Sequence, residues 1–258
     1  MEFNKQNIQS KIKTAETHVI DEGLRVYMLK VYNYMASGIL ITGFISLILF
    51  KFSGGYNIQV TPMGITGTNG FGDLIYKSPL MWVLMLAPLG VVFYMSFGIR
   101  KMSAAKAQTT FWIFAALMGA SLSSIFLVYT GASITRVFFI TAGTFGAMSL
   151  FGYTTKKDLS GMGRFLFMGV IGLIVAMIIN WFTQSPGLEF AINVLGVLIF
   201  AGLTAYDTQN IKNTYLGLRS SPNGEEIAAK AGILGALSLY INFLNMFMFL
   251  LQFMGNRE

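Results

Sequence analysis

One acidic residue, Asp207, directly follows a long apolar run in the stretch FAGLTAYDTQNIK, residues 200–212. If this segment is helical, residues at spacings of three and four share a face with it: Asn193, Gly196, Phe200 and Thr204. An ionised carboxylate in hydrocarbon is costly, so such a residue usually faces protein or water and marks an ion path, a proton relay or a catalytic site. The alternative is a solvated carboxylate at a helix end, at the level of the lipid headgroups.

A second polar stripe runs along AGILGALSLYINFLNMFMFLLQFMG, residues 231–255. Its members also recur at spacings of three and four: Gly235, Ser238, Asn242, Asn245, Phe249 and Gln252. Asparagine is unfavourable in lipid unless its amide finds a partner, so this face must point into a bundle of helices. We therefore expect this helix to be surrounded by the others. Its polar stripe and that of Asp207 would together line a path.

The composition of the chain is that of a membrane protein. Hydrophobic residues make up 54% of the sequence, charged residues 11%, and the mean hydropathy is +0.62. Charged residues divide the chain into seven charge-free windows: 31–50, 78–99, 107–135, 137–155, 165–188, 190–206 and 231–256. A helix needs about 20 apolar residues to cross the hydrocarbon core, and the sixth window is about three residues too short. The sixth helix must therefore continue through Asp207 to about residue 210.

Continuous apolar runs without a period of two favour helices over a membrane barrel. We predict an all-α polytopic membrane protein, with a polar cytoplasmic tail over residues 1–30 and a single transmembrane domain over residues 31–256. The seventh of its seven transmembrane helices is expected to be central in the bundle. The predicted helices cover residues 31–50, 79–99, 107–129, 136–154, 164–184, 188–210 and 231–254.

The basic residues are unevenly divided between the two sides of this topology. Five of the 18 Lys and Arg residues lie in the tail and three in each of the second, fourth and sixth connections, fourteen in all, against four on the opposite side. Cytoplasmic loops carry the excess of Lys and Arg, which predicts a multi-pass protein of the cell (inner) membrane with a cytoplasmic N-terminus and an outside C-terminus. The net charge of +7 then needs no nucleic acid partner.

Small residues recur on the fourth predicted helix, with Gly143 four residues before Ala147, and with Gly146 and Gly152 further along. Such spacing lets two helix backbones approach closely, so we expect tight packing here. The chain has no cysteine, which removes thiolate metal sites and cysteine nucleophiles from consideration. Its single histidine, His18, lies in the polar tail.

Three stretches of the sequence carry a common resemblance: FAGLTAYDTQNIK, the GYTTKKDLS after the fourth helix, and ALSLYINFLNMFMFLLQFMG near the end. Together they resemble the Bax inhibitor-1 family of transmembrane proteins. The tail stretch IDEGLRVYMLKVYNYM is similar to that of bacterial members, and the resemblance covers about residues 20–255. It implies a seven-helix bundle with a central seventh helix, and an activity described for some members as a pH-sensitive calcium leak.

In those members two aspartates share a proton near the cytoplasmic side, and an arginine latches onto the first. By position, the first aspartate is Asp207, while the second falls where this chain has Asn242. Asparagine offers a carbonyl or a hydrogen bond but does not titrate, so the coupled pair of carboxylates is absent. The latch would be Arg100, with Lys101 as a rival. Weak calcium binding at Asp207 is expected, with no tightly bound metal and no cofactor.

Two other functions remain open at the level of sequence. Bacterial relatives are associated with a membrane-bound ATP-dependent protease, and the tail of residues 1–30 would suit such a partner in a non-conducting interaction protein. A Tyr-Asp pair within a helix is also typical of intramembrane aspartyl proteases, which need a second aspartate on a neighbouring helix. Asp207 is the sole acidic residue placed inside a predicted span away from its edges, so we expect no enzymatic activity.

Overall fold

The computed structural model describes residues 2–62, 64–218 and 224–256, and for residues 2–21 and residue 100 it describes the backbone alone. Its helices in chain order are α1 (Glu2–Phe52), α2 (Gly70–Tyr76), α3 (Leu80–Gly98), α4 (Ala104–Leu122), α5 (Gly131–Thr154), α6 (Ser160–Thr183), α7 (Pro186–Leu218) and α8 (Gly224–Met254). In the described part, every one of these except α2 is long and apolar enough to cross a membrane. The prediction of an all-α polytopic membrane protein with seven spans is confirmed.

Local sequence explains where several helices begin and end. The hydroxyl groups of Ser103 and Thr130 cap α4 and α5, each accepting a hydrogen bond from the backbone N–H three residues further on. Helix α6 ends at Thr183, where the left-handed backbone of the next residue, Gln184 (φ 47°), closes the last turn, and α7 begins at Pro186. Short 3₁₀ helices follow α1, α3 and α4, at Gly55–Asn57, Ile99–Lys101 and Ser123–Leu127.

Three helices extend well beyond the charge-free windows. Helix α7 ends at Leu218 rather than near residue 210, α8 begins at Gly224 rather than at residue 231, and α1 begins before the predicted span 31–50. A charged side chain ends an apolar run but does not end a helix, because it can extend into water or pair along the helix face. Glu226 and Lys230 form such a pair on α8, with 2.9 Å between their charged atoms.

The connection between α1 and α3 contains a small hairpin. Strand β1 (Gln59–Thr61) pairs antiparallel with β2 (Gly64–Thr66), with Val60 opposite Ile65. Asn69 then caps α2 by accepting a hydrogen bond from the backbone N–H of Gly72, while its amide donates to the carbonyl of Phe52. This second bond ties the connection to the end of α1.

Helix α8 is the most buried span of the described residues. In its most apolar window 72% of the residues are buried, compared with 6% in α6. It packs against α1, α4, α5 and α7. Tyr240 on α8 lies fully buried against the rings of Phe111 and Phe114, and its hydroxyl lies 2.5 Å from that of Thr42 on α1. A central seventh span is expected to be the most buried one, and the burial of α8 agrees with this. The central position itself stays a prediction.

The glycines of α5 differ from one another in their surroundings. Gly152 lies directly against the backbone of Ala205 on α7, where an added methyl group would collide with main-chain atoms. Gly143 and Gly146 instead face open space, with nothing within 4 Å of the position that an added methyl group would take. Close backbone approach therefore occurs at one end of the small-residue stripe and not along all of it.

We expect Gly152→Ala to destabilise the protein by about 1–3 kcal/mol, because the new methyl group overpacks the contact between α5 and α7. The effect is measured as a lower apparent Tm of the purified full-length protein in detergent. The matched control is Gly146→Ala, which should leave Tm unchanged or raise it slightly, since alanine favours a helix and the site is open. Equal shifts for the two variants would contradict the packing described here.

Candidate functional site between α6, α7 and α8

Asp207 on α7 and Asn242 on α8 form a direct hydrogen bond across the contact between their helices. The Asn242 amide donates from Nδ2 to Oδ2 of Asp207 at 2.8 Å. Asn242 is buried, with 4% of its surface exposed, whereas Asp207 is half-buried. The amide thus satisfies one carboxylate oxygen, and the other has no hydrogen-bond partner among the described residues.

A cavity of about 370 Å³ lies beside this pair and is lined by α6, α7 and α8. Its polar side chains are Asp207, Ser238, Asn242 and Asn245, and the other lining residues are apolar. Among the described lining residues Asp207 alone carries a charge. The Asn245 amide donates to the carbonyl of Ile241 at 2.9 Å, so it too has one partner within its own helix. Four of the polar residues singled out from the sequence therefore meet in one cavity.

Three other predicted residues lie on α7 away from this cavity wall. Thr204 is fully buried and its hydroxyl donates to the carbonyl of Phe200 in the same helix. Gly196 lies against the ring of Phe249 on α8, where any side chain would collide with the ring. Asn193 is buried, and its Oδ1 has no hydrogen-bond partner in the part of the chain described. These residues belong to the packed interior rather than to the open volume.

The predicted latch residue, Arg100, belongs by its backbone to the 3₁₀ helix Ile99–Lys101. Its side chain lies outside the described part of the structure, so the latch stays a prediction.

The segment around Asp207 is held in place by the connection between α5 and α6. Gln209 is buried; its Nε2 donates to the carbonyl of Lys157, and its Oε1 accepts from the backbone N–H of Leu159, both at 2.8 Å. Lys212 donates from Nζ to the carbonyl of Tyr153 at 2.9 Å and lies over that ring. The two stretches of sequence YDTQ and GYTTKKDLS are therefore direct partners in space.

Sequence comparison identifies the protein's relatives. A family model described as "Inhibitor of apoptosis-promoting Bax1" matches residues 24–258, nearly the whole chain. The chain belongs to the Bax inhibitor-1 family. The resemblance drawn from YDTQ, GYTTKKDLS and the last helix is thereby confirmed.

Bacterial relatives of this Bax inhibitor-1 protein match along almost their full length. An uncharacterised protein of Caulobacter vibrioides is 45% identical over 258 residues, covering 100% of this chain and 99% of its own. The Rickettsia prowazekii protein RP147 is 43% identical over 245 residues, 95% of each chain. The Escherichia coli inner membrane protein YbhL is 41% identical over 237 residues, 92% of this chain and 94% of its own.

A chain of hydroxyl groups in this Bax inhibitor-1 protein was not anticipated from the sequence. Tyr32 on α1 lies 2.6 Å from Ser149 on α5, and Ser149 lies 3.0 Å from Thr208 on α7. Because the Thr208 hydroxyl donates to the carbonyl of Thr204, it must accept from Ser149, which in turn accepts from Tyr32. Isolated Ser, Thr and Tyr residues are common in spans, and only the position of Thr208 next to Asp207 could have drawn attention to them.

The connection between α5 and α6 also contains Asp158, an exposed carboxylate whose substitution is a matched control for that of Asp207. Asp158 is exposed and accepts a hydrogen bond at 2.9 Å from the backbone N–H of Ser160. The Ser160 side chain and backbone hydrogen bonds hold the pKa of Asp158 below its usual range. An asparagine at position 158 could accept the same backbone hydrogen bond, so Asp158→Asn is a mild change of charge outside the spans.

We expect Gln209→Ala to release the connection between α5 and α6, because the Lys157 carbonyl and the Leu159 N–H lose their partner together. Limited trypsin digestion of the full-length protein should then cut several-fold faster after the exposed residues Lys156 and Lys157, with the fragments identified by mass spectrometry. Asn210→Ala changes the exposed neighbouring residue and should leave this rate unchanged. Equal rates in both variants would show that Gln209 does not hold this connection in place.

Proposed function

We propose that this Bax inhibitor-1 protein is a multi-pass protein of the bacterial inner membrane that conducts a pH-sensitive leak of calcium or other cations, gated around Asp207. The observation that carries the proposal is the Asp207 carboxylate, the one charged group among the described lining residues, which is bonded to Asn242 and borders a cavity between three spans. An ionisable side chain in this setting is usually retained for function, because it is costly to keep within a membrane.

The chemistry of the cavity suits weak cation binding. Calcium prefers six to eight oxygen ligands, and this cavity offers the Asp207 carboxylate with the amide and hydroxyl oxygens of Asn242, Asn245 and Ser238. Such a small set with one negative charge gives low affinity. Conduction requires binding that is weak enough for the ion to leave, so low affinity favours a leak over storage.

The pH dependence is proposed to arise at a single group. Of the described residues that line the cavity from α6, α7 and α8, Asp207 alone has a titratable side chain. Lys212, further along α7, is directed to Tyr153 of α5, and Tyr240 of α8 is bonded to Thr42 of α1. In the closed state ionised Asp207 pairs with Arg100; protonation removes that attraction, so flux rises as pH falls.

Asn242 changes the form of this response from the two-aspartate arrangement implied for some family members. An amide binds no proton in this range, so Asp207 titrates as one independent site and not as half of a coupled pair. A single site changes from about 10% to about 90% ionised over roughly two pH units.

We expect Asp207→Asn to give calcium flux that no longer varies with pH, at a level near that of the wild type in acid, because the amide resembles the protonated acid. Flux is measured with purified protein in liposomes, using an enclosed calcium dye between pH 5 and pH 8. Asp158→Asn removes an equal charge from an exposed site and should retain the wild-type profile. The gating proposal fails if Asp207→Asn keeps that profile.

A companion variant tests the role of position 242. Asn242→Asp places a second carboxylate 2.8 Å from the first, judged by the present hydrogen bond. Two carboxylates this close do not both ionise readily, so the pH profile should broaden and its upper limb should move to higher pH. An unchanged profile would show that the Asp207–Asn242 contact has no part in the response.

The second candidate function is a non-conducting protein that modulates a membrane-bound ATP-dependent protease through residues 1–30. It is favoured by a polar tail that carries Lys5, Lys11, Lys13 and Arg25 beside acidic residues such as Asp21. The positive-inside distribution would put this tail in the cytoplasm. The aspartyl protease alternative is not proposed, since general acid and base work needs two carboxylates.

Deleting residues 2–20 separates the two candidates. A leak gated at Asp207 should keep its rate and pH profile in liposomes, because the deletion ends before the described lining of the cavity. A tail-dependent partnership should be lost, as measured by co-purification of a membrane protease with the tagged protein from cells. Loss of flux together with unchanged co-purification would contradict both assignments.

A further inference from the structure

The walls of the cavity beside Asp207 include an aromatic ring from each of the three helices. Phe167 lies on α6, Phe200 on α7 and Phe249 on α8. The rings of Phe200 and Phe249 are stacked, with centroids 5.9 Å apart, and both side chains are buried. Phe167 is half exposed and meets the ring of Tyr206 edge-on, at 6.2 Å. The faces of these three aromatic rings attract a positive charge.

Among the described residues, the polar end of the same cavity offers Asp207 no counter-charge. The described lining includes no Lys, Arg or His residue. Asn242 satisfies one oxygen of Asp207, and the other has no hydrogen-bond partner among the described residues. A charge withdrawn from water gains from a fixed partner of opposite sign, so the side of Asp207 away from Asn242 suits either the proposed Arg100 latch or a positively charged guest.

We infer that this cavity binds a hydrophobic organic cation, with a quaternary or protonated amine next to Asp207 and its apolar part against the three phenylalanine rings. The combination of a carboxylate with aromatic walls is the chemistry that recognises alkylated ammonium groups. A hydrated metal ion would gain nothing from the aliphatic and aromatic walls, which make up most of the lining. The cavity volume of about 370 Å³ is that of a small-molecule site.

The route into the cavity is from the side, through the part of the wall supplied by α6. This helix packs mainly against α7, and its lining residues Phe167, Ile174 and Met177 are 52%, 48% and 42% exposed. In a span, an exposed apolar face of this kind borders lipid. An amphiphilic amine concentrated in the bilayer would reach Asp207 by passing beside these residues without crossing the protein's packed interior.

The inference rests on Asp207 facing the same cavity as in the proposed leak, but it concerns binding and requires no conduction. It is tested with the purified full-length protein in detergent, by isothermal titration calorimetry with benzyltrimethylammonium at pH 8. We expect saturable binding of one cation per chain to the wild type, and at least about tenfold weaker binding to Asp207→Asn. Asp158→Asn, with the same loss of charge at an exposed site, should bind as the wild type does.

A second variant keeps the test decisive if Asp207→Asn folds poorly. Phe167→Leu removes a ring from a half-exposed position and keeps an apolar side chain, so folding should be unaffected while binding weakens about three- to tenfold. The inference is overturned if the wild type gives no saturable binding, or if either variant binds as the wild type does. Binding without calcium flux in liposomes would refute the leak alone, whereas flux without binding would refute this inference alone.

Discussion

A polar side chain inside an apolar bundle must find its partner within the protein, because lipid supplies none. In this protein that constraint sets which helices touch. Asn242 donates to Asp207 and so joins α8 to α7, while the hydroxyl of Tyr240 meets Thr42 and joins α8 to α1. The same helix that contains these polar groups is the most buried of the described spans. The deep burial of α8 and its hydrogen bonds to α7 and α1 therefore arise from the same packing of helices.

The position of Asp207 depends on a second set of bonds outside the apolar region. Gln209 and Lys212 follow it on α7: Gln209 holds the backbone of the connection between α5 and α6, and Lys212 bonds the carbonyl of Tyr153 in the last turn of α5. Gly152 permits this by allowing the backbones of α5 and α7 to meet at Ala205. Helix α6 is the least buried of the described spans, and the cavity lies where it meets α7 and α8. The carboxylate therefore lies next to a hydrogen-bonded segment of α7 and also borders an open volume, as a binding or gating group requires.

The extent to which this arrangement follows from sequence varies with the kind of feature. Seven spans follow from charge-free windows, because length and hydropathy decide whether a helix can cross a bilayer. Helix ends are predicted less well from the sequence. Helix α7 continues beyond Lys212 and α8 begins before Lys230, since charged side chains outside the hydrocarbon do not oppose helix formation. The small-residue stripe of α5 gave close packing at Gly152 but not at Gly146, because spacing alone does not say which part of a helix meets a neighbour.

For the candidate site, the sequence by itself determined that Asp207 must lie within a spanning helix and that two polar stripes exist. The family resemblance implied that Asn242 stands where some members have a titrating partner. Helical periodicity fixes the direction of each side chain around its own axis. Only the tertiary structure decided which of these residues share a space. Ser238, Asn242 and Asn245 join Asp207 at the cavity, whereas Thr204, Gly196 and Asn193 lie in packed interior. The physical reason is that the spacing of three helices, set by side-chain packing along their whole lengths, determines where a void remains.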